Sequence, residues 1–106
     1  MKIAIASTGK DLESEVSPVA GRAPYYLIFD QSGNLVETIK NPFAVGGGGA
    51  GFGVTKMLAD KGISLVVAGH FGGNMRMALE EKGIKYMEKQ GKVKDILRDI
   101  LWGYEF

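Results

Sequence analysis

Three stretches of this chain carry almost no side-chain bulk, yet between them hold the groups best suited to grip a charged ligand. They are Ser7-Thr8-Gly9, Gly46-Gly47-Gly48-Gly49-Ala50-Gly51 and Gly69-His70-Phe71-Gly72-Gly73-Asn74. Each lies beside a segment that reads as a regular element. Brought together, they would wall a cleft with backbone N–H groups, supplemented by one histidine and a few hydroxyls. Such a wall suits an anion, because backbone amides and helix N-termini attract negative charge. It does not suit bond breaking. The chain has no Cys/His pair, no Gly-x-Ser-x-Gly elbow and no clustered carboxylates for a two-metal centre, which leaves no nucleophile–base pair. The expectation is a binding protein and not an enzyme.

The candidate ligand-binding residues from these stretches are Thr8, Gly9, Gly48, Gly49, Gly69, Gly72, Gly73 and Asn74, joined by Ser17 and Arg22 from the segment between the first two. Arg22 reads either as a solvated loop arginine or as a planar donor fork for an anion. His70 is the only histidine. It reads either as a hydrogen-bonded structural residue or as a metal ligand, and a single imidazole cannot hold a metal ion tightly. Gly46, Gly48 and Gly51 formally satisfy G-x-G-x-x-G, but Pro42-Phe43-Ala44-Val45 precedes them where a dinucleotide fingerprint needs a buried strand. The run reads instead as a mobile lid ordered by ligand or as a pre-formed anion cradle.

Composition narrows the partner. With 106 residues and 45% apolar content, the chain suits one domain, residues 1–106, with one core. Cysteine is absent, so disulfides and thiolate ligation of an iron–sulfur cluster are excluded. The net charge of +1 is far from the basic bias of a nucleic-acid binder. The longest apolar stretch, near Ile63 to Ala68, is far short of the roughly 20 residues that span a bilayer. Neither nucleic acid nor membrane is an expected partner. The opening Met-Lys-Ile-Ala-Ile-Ala lacks a signal peptide's apolar length, which points to the cytoplasm.

The elements that would position these residues follow from periodicity. Ile3 to Ala6 reads as a central strand buried on both faces. Residues 25–30 and 35–39 read as a hairpin about Gln31-Ser32-Gly33-Asn34, antiparallel beside the first strand. A helix over 52–61 capped by Gly62, a buried strand over 63–68, a helix over 74–82 stopped by Gly83 and a strand near 84–87 complete two α–β steps. Leu58-Ala-Asp-Lys-Gly-Ile63 and Leu79-Glu-Glu-Lys-Gly-Ile84 match across these steps. Met75 and Met77 flank Arg76, and core packing of one or both is expected in preference to soft-metal ligation. Val93, Ile96, Leu97, Ile100 and Leu101 form the buried stripe of a last helix, with Trp102, Tyr104 and Phe106 after it expected to pack or, as the alternative, to make a subunit contact. The order β-β-β-α-β-α-β-α gives a mixed five-stranded α/β sheet flanked by helices. Right-handed crossovers would put both glycine loops at the carboxyl edge of the parallel strands, where ligands bind.

Ser17-Pro18, Gly21-Arg22-Ala23-Pro24-Tyr25-Tyr26-Leu27-Ile28, Asn41-Pro42, the turn Ala68-Gly69-(x)2-Gly72, Ala78-Leu79 and Gly83-Ile84 together resemble the dinitrogenase iron–molybdenum cofactor biosynthesis family, the nitrogenase accessory factor-like small proteins. The resemblance covers nearly the whole chain. It implies a ribonuclease-H-like α/β fold without ribonuclease chemistry. It also implies a carrier or scaffold for an anionic iron–sulfur or iron–molybdenum cofactor precursor cluster, loosely held, with cluster-assembly proteins as partners. The family block commonly reads Ser-x-His-Phe-Gly-Arg, and here Val19-Ala20 stand at the His-Phe positions. His70 is then the best available metal ligand. The alternatives are a module for a small phosphorylated or carboxylated metabolite and a regulatory protein-interaction domain.

Overall fold

The computed structural model describes residues 1–46 and 48–102. Its elements are β1 (Lys2–Ser7), β2 (Tyr25–Asp30), β3 (Leu35–Lys40), α1 (Ala50–Asp60), β4 (Leu65–Ala68), α2 (Gly73–Glu81), β5 (Lys85–Glu88) and α3 (Val93–Trp102). The sheet order is β3-β2-β1-β4-β5. β1 pairs antiparallel with β2 and parallel with β4, and β4 pairs parallel with β5. The central strand, the hairpin beside it and the two parallel strands on its other side are thus as the sequence predicts, and the order is compatible with a ribonuclease-H-like topology.

Burial on both faces explains β1. Ala4 and Ala6 point into a core with Tyr26, Ile28, Val54, Leu58, Phe71 and Met75 beneath α1 and α2. Ile3 and Ile5 point into a second core with Leu27, Phe29, Val67, Val93 and Ile96 beneath α3. Alternating strand residues serve opposite faces, so an all-apolar strand needs cover on both. At the hairpin, the Asp30 carboxylate accepts the amides of Ser32 and Asn34, each at 2.9 Å, while Gly33 takes φ +89°. These bonds, chiefly that from the Asn34 amide, hold the Asp30 carboxyl below its usual range.

The matching hexapeptides are helix-ending motifs. Ile63 N donates to Leu58 O and Gly62 N to Ala59 O; Ile84 N donates to Leu79 O and Gly83 N to Glu80 O. With Gly62 at φ +75° and Gly83 at φ +70°, both are Schellman caps with a buried isoleucine after the glycine. The caps consume the residues expected to open the next strands, so β4 starts at Leu65 and β5 at Lys85.

Two further expectations differ from the structure. α1 starts at Ala50 inside the glycine run, so Gly51 and Gly53 are helical. Trp102 does not pack: it ends α3 and is 77% exposed. The buried stripe turns away from it, since residues i+8 and i+9 fall on different sides of a helix. Tyr104 and Phe106 lie outside the described residues. Of the methionines on α2, Met75 is buried and Met77 exposed.

Candidate functional site

The carboxyl edge of the parallel strands is bridged by one crossing segment. Val16 pairs with Ser7 at the end of β1, Ser17 N donates to Ala6 O (2.8 Å), and Gly69 N donates to Ser17 O (2.8 Å). Ser17-Pro18 therefore lies across the ends of β1 and β4. This passage requires glycine at 69, because a Cβ there would stand 2.8 Å from Pro18 Cα and 2.9 Å from Pro18 O. Beyond it the chain turns back, with Ala20 N on His70 O at 3.0 Å, so residues 19–22 lie against the 70–74 turn.

Buried polar groups fix this turn. Tyr26 Oη donates to Ala20 O (2.6 Å), and Asn41 Nδ2 donates to both Gly21 O (3.0 Å) and Ala23 O (2.9 Å). Burial pushes the Tyr26 phenol far above its ordinary range, so it stays a hydrogen-bond donor. Arg22 Nη1 donates to Phe43 O at 2.9 Å, which orients its guanidinium and anchors the start of the glycine run.

Between the two segments lies a cleft of about 300 Å³, lined by Val19, Ala20, Gly21, Arg22, Gly51, His70, Gly72, Gly73, Asn74 and Met75. Two helix N-termini meet there. A Cβ on Gly51, in the first turn of α1, would lie 3.1 Å from Met75 N in the first turn of α2. Neither helix has a side-chain cap or an acidic residue in its first turn. The first intrahelical bond of α2 runs from Arg76 N to Gly72 O, so the amides of Gly73, Asn74 and Met75 have no acceptor within the helix. These amides, the positive ends of the helix dipoles and Arg22 make a site of positive potential.

The glycines sort into two kinds. Gly69 is required by close backbone approach, and a Cβ on Gly51 would press on Met75 at 3.0–3.2 Å. Gly72 and Gly73 have no left-handed φ, and a Cβ on either would meet nothing within 4 Å. The fold would accept alanine there. What glycine adds at these two positions is direct access to the amides.

Of the residues singled out in the sequence, Arg22, His70, Gly72, Gly73 and Asn74 line one cleft, and Gly69 sits behind them as a packing residue. The others lie elsewhere. Ser17 is buried, and its hydroxyl donates to Val19 O at 2.9 Å. Thr8 and Gly9 fold onto the opposite face of the sheet edge: Thr8 N donates to Glu15 O, and the neighbouring Val16 belongs to the core under α3. Gly48 and Gly49 precede α1 outside the lining, with Gly49 at φ +86°; Gly47 lies outside the described residues.

Glu88 is a functional candidate that the sequence reading missed. It ends β5 beside Ala68, so it stands next to the turn that carries His70. Its Oε2 accepts Phe71 N at 3.0 Å and lies 3.3 Å from His70 Nδ1. Laying the ends of neighbouring parallel strands side by side would have found it.

The family model described as dinitrogenase iron-molybdenum cofactor matches residues 1–103. The chain belongs to this family. It is similar to an NMR structure from Thermotoga whose description relates it to NifB and the DUF35 family, at 34% identity and TM-score 0.79, covering 93% of this chain and 85% of that one. It is similar to the apo form of the orange protein from Desulfovibrio gigas, at 27% identity and TM-score 0.87, covering 94% and 86%. It shares its fold with PH0822, at 21% identity and TM-score 0.81, covering 95% and 90%. Comparison with curated proteins gave no match.

Among the described residues no helix is long and apolar enough to cross a membrane, and no group of three or more His, Asp or Glu side chains could hold a metal ion.

Proposed function

We propose that the chain is a non-enzymatic carrier or scaffold that receives an anionic iron–sulfur or iron–molybdenum cofactor precursor in the cleft between residues 19–22 and 70–75, and passes it to cluster-assembly proteins. The observation that carries this reading is the placement of Arg22, the uncapped α2 amides and His70 around one opening in which the fold itself does not need glycine at 72 and 73. Family membership supplies the class of cargo. Val19, at the position where the resemblance places a histidine, lines the same cleft as His70, so an imidazole is retained there from the facing loop. A single imidazole bond plus amide contacts suits cargo that must leave again.

The test is retention of a cluster formed anaerobically from iron and sulfide, measured by absorbance and mass, in wild type and His70→Ala. The mutant should retain less cluster than wild type, because it lacks the ring nitrogen that can bind metal. A phosphorylated or carboxylated metabolite, held by the amides and Arg22 alone, predicts no dependence of cluster retention on His70. Equal retention by mutant and wild type removes the ligand role.

A further inference from the structure

We propose that Asn41 is a positioning residue that sets Arg22 for the ligand by holding the chain on both sides of it. The inference rests on the carrier reading of the cleft and names a residue outside the lining on which the arginine of that cleft depends. Asn41 directly follows β3 and is buried, at 3% exposure. A side-chain amide offers two N–H donors and a carbonyl acceptor. Both donors and the acceptor are used: Nδ2 donates to Gly21 O (3.0 Å) and Ala23 O (2.9 Å), and Oδ1 accepts Phe43 N at 3.0 Å. Two carbonyls on one side and an N–H on the other admit a single orientation of the amide.

The two carbonyls belong to the residues on either side of Arg22. The third bond closes a turn over Asn41-Pro42-Phe43-Ala44, with Ala44 N on Asn41 O at 3.2 Å and proline where its fixed φ suits a turn. That turn presents Phe43 O, which accepts Arg22 Nη1 at 2.9 Å. The Phe43 ring is seated on Gly53 of α1, where a Cβ would run into it. One buried amide thus ties the backbone around the arginine to the carbonyl that orients its guanidinium, and both to the helix whose Gly51 lines the cleft. Aspartate has the same shape and neither donor, and serine is too short to bridge to the two carbonyls.

The test is ¹⁵N relaxation of the arginine Nε–H groups in protein without cargo, in wild type and in Asn41→Ser, whose hydroxyl can still close the turn to Phe43 N. Wild type should show Arg22 Nε ordered and Arg76 Nε, exposed on α2, mobile. In Asn41→Ser, Arg22 should approach the mobility of Arg76 while the amide signals of β1 and β4 keep their positions. Asn41→Asp is the second variant and should do the same. An Arg22 already mobile in wild type, or still ordered in either folded variant, overturns the proposal. Retention of a cluster formed from iron and sulfide gives a second readout. Asn41→Ser alone should lose retention toward the level of Arg22→Ala, and the double variant should lose no more than Arg22→Ala, because Asn41 acts through the arginine. A further loss in the double variant overturns that route. If Arg22→Ala retains cluster as well as wild type, the binding role of the arginine falls, and the relaxation result decides the positioning role by itself.

Discussion

Gly69→Ala is expected to lower the melting temperature by about 10–20 °C, whereas Gly73→Ala, four residues on, leaves stability unchanged or slightly raised and weakens ligand binding instead. At 69 the new methyl group would stand 2.8 Å from Pro18 Cα and 2.9 Å from its carbonyl oxygen. Neither atom can swing aside. The crossing segment is pinned by Ser17 N on Ala6 O and by Gly69 N on Ser17 O. Overpacking against fixed backbone costs about 1–3 kcal/mol, the upper end applying here, and each kcal/mol moves the melting point of a domain this size by about 4–8 °C. At 73 the methyl group meets nothing within 4 Å, and alanine is the better helix former by up to about 1 kcal/mol. Thermal unfolding of the two variants checks the contrast. A Gly73→Ala protein as destabilised as Gly69→Ala would mean that both glycines serve packing alone.

Arg22→Ala is expected to weaken binding of the anionic ligand by about one to two orders of magnitude. A charge-assisted hydrogen bond contributes about 1.5–3 kcal/mol, and each 1.4 kcal/mol is tenfold in affinity. The guanidinium is already oriented by its bond to Phe43 O, so little rotamer freedom is lost on binding. Arg22→Lys should recover part of the loss, since it keeps the charge without the planar fork. The measurement is cluster retention or ligand titration for both variants beside a melting curve. Unchanged affinity in Arg22→Ala would reduce this arginine to an anchor for the 43–46 segment.

The sequence displays the frame of this protein more fully than its site, for reasons visible in particular residues. Strand order follows from local signals that agree with one another: the two-faced apolar run at Ile3–Ala6, the Asp30–Asn34 turn and the paired glycine stops at 62 and 83. The site depends on where Ser17-Pro18 crosses the sheet edge, and no periodicity encodes that crossing. It carries residues 19–22 over to the 70–74 turn and leaves Thr8 and Gly9 on the α3 side. The supports come from distant positions: Asn41 on the Gly21 and Ala23 carbonyls, Tyr26 on Ala20, Glu88 on Phe71. The sequence also makes all the glycines look alike. Only their surroundings separate Gly51 and Gly69, which make room for backbone, from Gly72 and Gly73, which leave amides open.

The central claim is that one cleft, at the carboxyl edge between residues 19–22 and 70–75, receives an anionic metallocluster. It is tested most directly by mapping backbone amide signals of ¹⁵N-labelled protein before and after anaerobic loading with iron and sulfide. Shifted or broadened signals at Gly21, Arg22, His70, Gly73 and Asn74, with those of Ser64 and Lys85 at the opposite end of the sheet unchanged, are the predicted result. No cluster retained, or changes centred away from this cleft, would contradict it.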